Sequence, residues 1–269
     1  MRSFAIIAGC IAASFVFGCA PKYFGPPLAA PQTADTLAAL LISRRGSDVE
    51  ASARLTLRVR GRVGNVKMSH RLTGAGVFTA DKARASFKKG PFSALEILSV
   101  GDEITVLLPA NDKAYRGDVV KLLQGRGSFP AEFHLDPLTF MFPVVLGRIS
   151  RFDTGSRHHV LETSLSDGFR MRYIIYAATG VVLTSDLVDP DGRVILRKTY
   201  ENFAPVADVP VPTLVSFNAP RTGLKGYLRL GKINPAPTIR EGAFSIRISP
   251  GVEIKELDGA RTTEEEAAR

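Results

Sequence analysis

Cysteine, histidine and tryptophan are scarce in this sequence, and their scarcity narrows what the protein can do. The 269 residues include no tryptophan, four histidines and two cysteines, Cys10 and Cys19. Both cysteines precede residue 20, so the rest of the chain has no thiol for catalysis, no disulfide and no cysteine ligand for zinc or an iron–sulfur cluster. The main domain must therefore be stabilised by packing alone.

The sequence also lacks the residue patterns of common enzymes and metal sites. It contains no Gly-x-Ser-x-Gly elbow, no phosphate-binding loop ending in Lys-Ser/Thr and no His-Glu-x-x-His. His158 and His159 are neighbours on a predicted strand, where they would face opposite sides and could not easily share one ion. We therefore expect no enzymatic activity, no metal and no cofactor.

The overall composition is that of a globular protein with a basic surface. Hydrophobic residues make up 45% of the chain and charged residues 23%, which argues against disorder. The formal net charge is +9. A basic balance of this size favours anionic surfaces such as phospholipid headgroups, lipopolysaccharide or nucleic acid. Nucleic acid is not expected as a partner if the chain is exported.

Export is what the first nineteen residues indicate. Arg2 precedes an uncharged apolar run, Phe4–Phe17, which has the length of a secretory h-region and is too short to span a bilayer. The run closes in Val16-Phe17-Gly18-Cys19, which resembles the lipobox of bacterial lipoproteins, whose cysteine is lipidated. An ordinary signal peptide with a chance cysteine, or a buried apolar strand, is the alternative. Because Ala20 follows Cys19, the resemblance implies sorting to the outer membrane.

Composition then divides the chain into four parts. Residues 1–18 are predicted to be a signal peptide and residues 19–32 a proline-rich tether. Residues 33–257 are predicted to form one β-domain, and residues 258–269 a disordered polar tail.

The β-domain prediction rests on one helical pattern followed by many short alternating segments. Leu37, Leu40 and Leu41 recur at helical spacing within Thr33–Arg45, which predicts a helix. From Arg54 to Arg60 the period changes to two, which predicts an amphipathic strand. We expect a bend at Gly74-Ala75-Gly76, and the proline-rich stretch Ala204–Pro212 precedes the next predicted strand. The other predicted strands are Val66–Leu72, Gly76–Thr79, Arg84–Phe87, Phe92–Val100, Glu103–Leu108, His158–Leu165, Phe169–Ala177, Val181–Val188, Arg193–Tyr200, Thr213–Phe217, Leu224–Leu230 and Ala243–Ile248.

Two segments stand out from this pattern. Residues 117–147 are apolar and aromatic, with Phe140 in their second half, and prolines divide them into short pieces. Such a segment is usually core, and the alternative is a lid over an apolar cavity. Arg54, Arg58, Arg60 and Arg62, with Lys67 and Arg71, form a basic cluster on the first hairpin. A solvated outer face is the ordinary interpretation, and contact with membrane phosphates is the alternative.

The order of helix, hairpins, apolar interruption and further hairpins resembles the LolA/LolB superfamily of Gram-negative envelope proteins. The phrases Val106-Leu107-Leu108-Pro109, Tyr115-Arg116-Gly117, Phe244-Ser245-Ile246 and Pro250-Gly251-Val252 carry this resemblance. It implies a mainly β fold, an unclosed and curved antiparallel sheet, or half-barrel, with a few covering α-helices. It also implies a concave apolar face that accepts acyl chains.

The predicted function is that of a periplasm-facing outer-membrane lipoprotein that binds a lipid or acyl chain without chemistry. The protein would be attached to the membrane by a lipid on Cys19, which includes palmitate. Its ligand would be the acyl chain of a lipid or of a lipoprotein. The alternative is a structural or interaction lipoprotein with a filled core and an envelope protein as partner. The residues predicted to line the cavity are Leu55, Leu57, Val59, Ile104, Val106, Phe140, Phe169, Met171 and Tyr173.

Overall fold

The computed structural model describes residues 25–29, 32–46, 50–63, 66–79, 81–101, 103–118, 147–165, 168–220, 223–235, 237–240 and 242–256. Within these ranges the chain forms one α-helix, a 3₁₀ turn at Pro109–Asn111 and fourteen strands. The helix is α1 (Ala34–Gly46), and the strands are β1 (Ala51–Val63), β2 (Val66–Phe78), β3 (Lys82–Lys89), β4 (Phe92–Val100), β5 (Glu103–Leu108), β6 (Lys113–Asp118), β7 (Arg148–Asp153), β8 (His158–Ser164), β9 (Arg170–Tyr176), β10 (Val182–Val188), β11 (Val194–Val206), β12 (Val209–Ala219), β13 (Leu224–Asn234) and β14 (Glu253–Glu256).

All fourteen strands belong to one sheet that does not close. The strand order is β14-β6-β5-β4-β3-β2-β1-β13-β12-β11-β10-β9-β8-β7, so β14 and β7 are its two edges. Every neighbouring pair is antiparallel except β14 and β6, which run parallel. This architecture confirms the predicted mainly β fold with an unclosed, curved antiparallel sheet. Among the described residues α1 is the one covering helix, and no helix has the length and apolar character needed to span a membrane.

Helix α1 begins with a reciprocal cap and ends against the sheet. The Thr36 backbone N–H donates to the Thr33 hydroxyl at 3.2 Å, and the Thr33 N–H donates to the Thr36 hydroxyl at 2.8 Å. These two bonds satisfy donors that the first helical turn leaves unpaired. Leu37 and Leu41 are buried, and the Arg44 guanidinium donates to the Thr179 and Gly180 carbonyls at 2.7 and 3.0 Å. The helix therefore packs beside the turn between β9 and β10.

The sheet has one apolar and one polar face because its strands alternate. On β1, Leu55, Leu57 and Val59 are buried, whereas Arg54 before them and Arg60 after them are exposed. Strand register keeps this division across neighbours, since Leu57 lies opposite Leu72 on β2 and Leu228 on β13. The buried side chains from β1 to β13 form one cluster that includes α1. The core thus lies on one face of the sheet.

The bend predicted at Gly74-Ala75-Gly76 is wrong, because β2 runs without interruption through these residues. These glycines do not form a turn; they allow other groups to lie close to the backbone. A Cβ on Gly74 would collide with the Ser86 carbonyl, and one on Gly76 would collide with the Phe78 ring, which covers it. Sequence reasoning took each glycine as a break, although a glycine inside a strand also marks a place where another group approaches the backbone.

The proline-rich stretch Ala204–Pro212, in which no strand is predicted from the sequence, is part of the sheet. Strands β11 and β12 continue through it as a hairpin, with Pro205 opposite Pro210. The turn is formed by Ala207 and Asp208, whose φ angles of 45° and 64° match the turns that suit twisted hairpins. The strand predicted at Ala243–Ile248 is absent, since those residues form a turn and irregular backbone.

Three strands that the sequence analysis did not predict complete the sheet. They are β6, β7 and β14, which lie at or next to the two edges. All three are short and carry many charged residues, so their alternation is weak as a sequence signal. Most of the apolar segment predicted as core or lid, residues 119–146, lies outside the described residues.

Candidate functional site

The candidate site is the apolar face of the sheet, to which the predicted cavity residues contribute from three separate strands. Seven of them are buried, with exposed fractions between 0% and 8%. Phe169 is half-buried against the same cluster. Phe140 and the predicted lipid-bearing Cys19 lie outside the described residues. The seven buried residues are Leu55, Leu57 and Val59 on β1, Ile104 and Val106 on β5, and Met171 and Tyr173 on β9.

These three strands are far apart in the sheet order. Four steps separate β5 from β1, and five separate β1 from β9. With neighbouring strands about 4.8 Å apart, the apolar face extends on the order of 40 Å along the sheet from β5 to β9. The predicted residues therefore belong to one continuous apolar surface, and they lie at its β5 end, at its centre on β1 and at its β9 end. We call the two ends the wings of this surface.

A group of polar side chains, which the sequence analysis missed, lies on the apolar face between β8 and β11. Lys198 is only 4% exposed and lies opposite Ser185 on β10, which in turn lies opposite Tyr173 on β9. The Ser185 and Tyr200 hydroxyls are 3.1 Å apart in a buried hydrogen bond. Lys198 has an interaction partner in the structure. The apolar face therefore carries a polar, cationic patch at one wing.

A sequence signal for this patch does exist. Leu196, Lys198 and Tyr200 alternate along β11 with Arg197 and Thr199, so Lys198 shares the register of two apolar-facing residues. A lysine in that register is unusual, because burying a charge is costly unless it is paired. Attention to the register of β11 would have identified Lys198 as a candidate site residue.

His159 adds a titratable group at the same wing. It is buried on β8, and its ring centroid lies 5.6 Å from that of Phe152. The Gly155 backbone N–H donates to His159 Nδ1 at 3.4 Å. Burial lowers the pKa of His159 below its ordinary value. Its neighbour His158 is exposed on the opposite face, as the alternation of a strand requires.

Helix α1 covers part of this wing. A Cβ on Gly180, at the end of the β9–β10 turn, would collide with Leu40 and crowd Leu28 and Leu37. The backbone N–H of Leu28 donates to the Ala178 carbonyl at 2.8 Å, which fixes the segment before the helix to the same turn. The close contact requires a glycine at position 180, where φ is +66°. The helix is thereby held directly over the end of β9.

Two surface clefts lie elsewhere. One of about 450 Å³ is bounded by Ser52, Val77, residues 237–240 and residues 242–243. The other, of about 560 Å³, is bounded by the β10–β11 turn and Pro220. Neither is lined by a predicted cavity residue. Among the described residues, no group of three or more His, Cys, Asp or Glu side chains is placed to hold a metal ion.

Comparisons with known proteins find likeness in structure but not in sequence. No protein-family model matches the chain, and no curated protein matches it significantly. An outer membrane lipoprotein-sorting protein domain from Vibrio parahaemolyticus superposes with a TM-score of 0.57 at 14% identity, covering 79% of this chain and 97% of that one. A LolA superfamily protein from Nitrosomonas europaea gives 0.56 at 12% identity, with 80% and 98% covered.

A third solved structure, a DUF1329 family protein from Desulfovibrio piger, gives a TM-score of 0.54 at 12% identity and covers 79% of this chain and 95% of its own. Each match spans nearly the whole of the other protein, so the likeness concerns the entire sheet and not a local motif. At these identities the comparison establishes architecture. The chain therefore has the LolA/LolB-like fold that its sequence predicted.

Proposed function

We propose that this chain is a non-enzymatic, lipid-anchored bacterial envelope protein that binds an acyl chain on the apolar face of its sheet. The observation that carries the proposal is the continuous apolar surface from β5 to β9 in a LolA/LolB-like fold. An unclosed sheet of this width leaves an apolar face that its own strands cannot cover by closing into a barrel. An extended hydrocarbon chain fits such a surface because it is long, narrow and apolar.

The polar patch on the wing gives the bound chain a direction. Lys198 with the Ser185 and Tyr200 hydroxyls provides a cation and hydrogen-bonding groups next to apolar side chains. A lipid has the same division, with an anionic or ester headgroup at one end of its hydrocarbon. In the proposed complex the headgroup lies near Lys198, and the acyl chain runs along the sheet towards β1.

The location of the protein is a separate part of the proposal. Cys19 carries the lipid, residues 19–32 form the tether, part of which is docked on the β9–β10 turn through Leu28, and the domain faces the periplasm from the outer membrane. Cys19→Ser removes the thiol and should convert a membrane-bound protein into one released by osmotic shock. If the Cys19→Ser protein stayed in the membrane fraction like its parent, the anchor would be disproved while acyl binding remained open.

Acyl-chain binding is tested by placing a carboxylate on each face of one strand. Met171→Glu puts the charge on the apolar face of β9, and Ile174→Glu puts it on the opposite, half-buried face. Both proteins are purified gently and analysed by native mass spectrometry for bound lipid, with thermal unfolding as the check of folding. We expect lipid on the parent and on Ile174→Glu, and none on a folded Met171→Glu, because hydrocarbon does not pack against an unpaired carboxylate.

A second candidate function is an interaction module whose apolar face is filled by its own side chains. The near-complete burial of the seven predicted cavity residues favours this candidate. In that case the parent carries no lipid, and Met171→Glu unfolds the domain because it disrupts ordinary core. Lipid retained by a folded Met171→Glu protein would contradict acyl binding at this face.

A further inference from the structure

The polar face of the sheet holds a second feature, a group of cations on its three central strands. It consists of Arg54, Arg58, Arg60, Arg71, Lys225 and Arg229, which we call the basic face. These residues come from β1, β2 and β13, which are adjacent in the sheet. The register places Arg58 directly opposite Arg71 on one side and opposite Tyr227 on the other. Arg60 lies directly opposite Lys225.

No carboxylate lies on the three strands that carry these cations. The sequence has no Asp or Glu between residues 51 and 80, nor between residues 209 and 240. Among the described residues, none of the six side chains takes part in an ion pair or hydrogen bond. Like charges directly opposite each other on neighbouring strands destabilise a sheet. An anionic partner would reduce this repulsion between the cations.

The same face of the same sheet shows what paired arginines look like. Across β7 to β11 the register alternates in sign. The Arg197 guanidinium binds Asp186 through two bonds of 2.7 and 2.8 Å, and Arg172 Nε lies 2.9 Å from Glu162 Oε1. We call this row the charge ladder, and its members are Arg151, Glu162, Arg172, Asp186 and Arg197. Arginines on this face therefore form ion pairs where the register places a carboxylate opposite them.

The surroundings of the basic face identify its partner. The side chains between the cations carry hydroxyl groups, namely Thr56 and Thr73, Ser69 and Tyr227. A protein interface is usually centred on several aromatic or apolar anchors, whereas Tyr227 is the one large side chain between these cations among the described residues. Phosphate groups, in contrast, are bound by guanidinium and hydroxyl donors without apolar contact. We propose that the basic face lies against the phosphate groups of a bilayer that contains anionic phospholipid.

This orientation turns the apolar face away from the bilayer and does not depend on acyl binding. The contact is electrostatic, so salt weakens it, and each cation near an anionic surface contributes about a five-fold gain in affinity. The basic face thereby supplements a lipid anchor, or provides an independent affinity where the anchor is removed.

The test measures binding of the full chain carrying Cys19→Ser to vesicles of phosphatidylcholine with and without phosphatidylglycerol. The quantity compared is the ratio of the two affinities, because the apolar N-terminal segment contributes to both. The test variant removes four exposed cations of the basic face by Arg54→Gln, Arg60→Gln, Arg71→Gln and Arg229→Gln. The matched control removes four exposed cations elsewhere by Arg116→Gln, Arg148→Gln, Arg240→Gln and Arg247→Gln.

We expect the parent to prefer anionic vesicles, the test variant to lose that preference by a factor on the order of 600, and the control to lose much less. Equal losses in both variants would show that net charge alone matters and would overturn the proposal. So would a parent that binds both vesicles alike. Binding of polyglutamate or duplex DNA, lost in the test variant while vesicle binding persists, would assign the face to a macromolecular polyanion instead. Unchanged thermal unfolding of both variants excludes misfolding as the cause.

Discussion

The two halves of the polar face use arginine in opposite ways. On β7 to β11 each arginine of the charge ladder lies opposite a carboxylate, and Asp186 is almost fully buried beneath Arg197, with 2% of its side chain exposed. On β1, β2 and β13 no arginine of the basic face lies opposite a carboxylate, since across the two strand pairs that β1 forms their neighbours are hydroxyl-bearing residues, other cations or, for Arg54, Ala75 and Gly231. One half therefore uses charge to hold strands together near a sheet edge, and the other keeps charge available at the centre. The residue that lies opposite an arginine on the neighbouring strand therefore decides which role the arginine has.

The largest effect is expected when the ladder is broken by a charge reversal. Arg172 lies opposite both Glu162 and Asp186, so Arg172→Glu places three carboxylates side by side. We expect the free energy of unfolding to fall by about 3 kcal/mol, measured by urea denaturation. Arg172→Gln is the control, because it removes the attraction without adding repulsion and should cost less. Equal losses for the two variants would mean that the ladder contributes through packing and not through charge.

A smaller effect is expected when a single cation is removed from each half. Arg197→Ala leaves the buried Asp186 carboxylate without its two hydrogen bonds, and we expect a loss of about 2 kcal/mol, reduced by the half-exposure of Arg197. Arg229→Ala, on the basic face, removes a side chain without a partner and should change stability by less than about 0.5 kcal/mol. Similar losses at both positions would show that arginines in the two halves contribute equally to stability, contrary to the comparison.

Charge reversal on the basic face should have the opposite sign. Arg71→Glu sets a carboxylate directly opposite Arg58, and we expect a gain of about 0.5 kcal/mol in the free energy of unfolding at low salt. Added salt should diminish the gain, since exposed charges are screened. Arg71→Gln serves as the control for loss of the guanidinium. A destabilised Arg71→Glu protein would show that Arg58 and Arg71 do not repel each other.

The smallest effect concerns His159, on the apolar face behind the ladder. Its folded-state pKa is lowered by burial, so the unfolded chain binds more protons below the ordinary pKa of about 6.5. Stability is therefore complete above that pH and declines as the pH falls towards the lowered value. His159→Leu should flatten the dependence of the unfolding midpoint between about pH 7 and pH 5. The exposed His158→Leu is the control, and an equal flattening in that variant would show that burial of His159 is not the cause.

Alternation made much of the sheet predictable. The bounds of β4 and β5 agree with the sequence analysis because Phe92–Val100 and Glu103–Leu108 are short alternating strands closed by turn residues. Glycine and proline caused the errors. Both residues usually end strands, but Gly76 accommodates the Phe78 ring and Pro205 lies opposite Pro210 within a hairpin. Such roles depend on a neighbour that the local sequence does not specify.

The candidate site was predictable only in part, and its use as a cavity stays a prediction. Alternation on β1, β5 and β9 was enough to choose residues of one apolar face. It did not reveal that β5 and β9 lie nine strand steps apart, because strand order is a long-range property. Nor did it identify Lys198, whose burial depends on β10 and β12 beside it.

By itself the sequence determined the two-faced sheet, the helix before it and the scarcity of catalytic and metal-binding residues, since these follow from composition and from periods of two and 3.6. Tertiary structure decided the strand order and which charges lie opposite one another. The reason is physical: cross-strand neighbours such as Arg58 and Arg71, or Arg197 and Asp186, are fixed by hydrogen-bond register between strands. Only in the folded sheet do some of the chain's arginines become ladder members and others a free basic face.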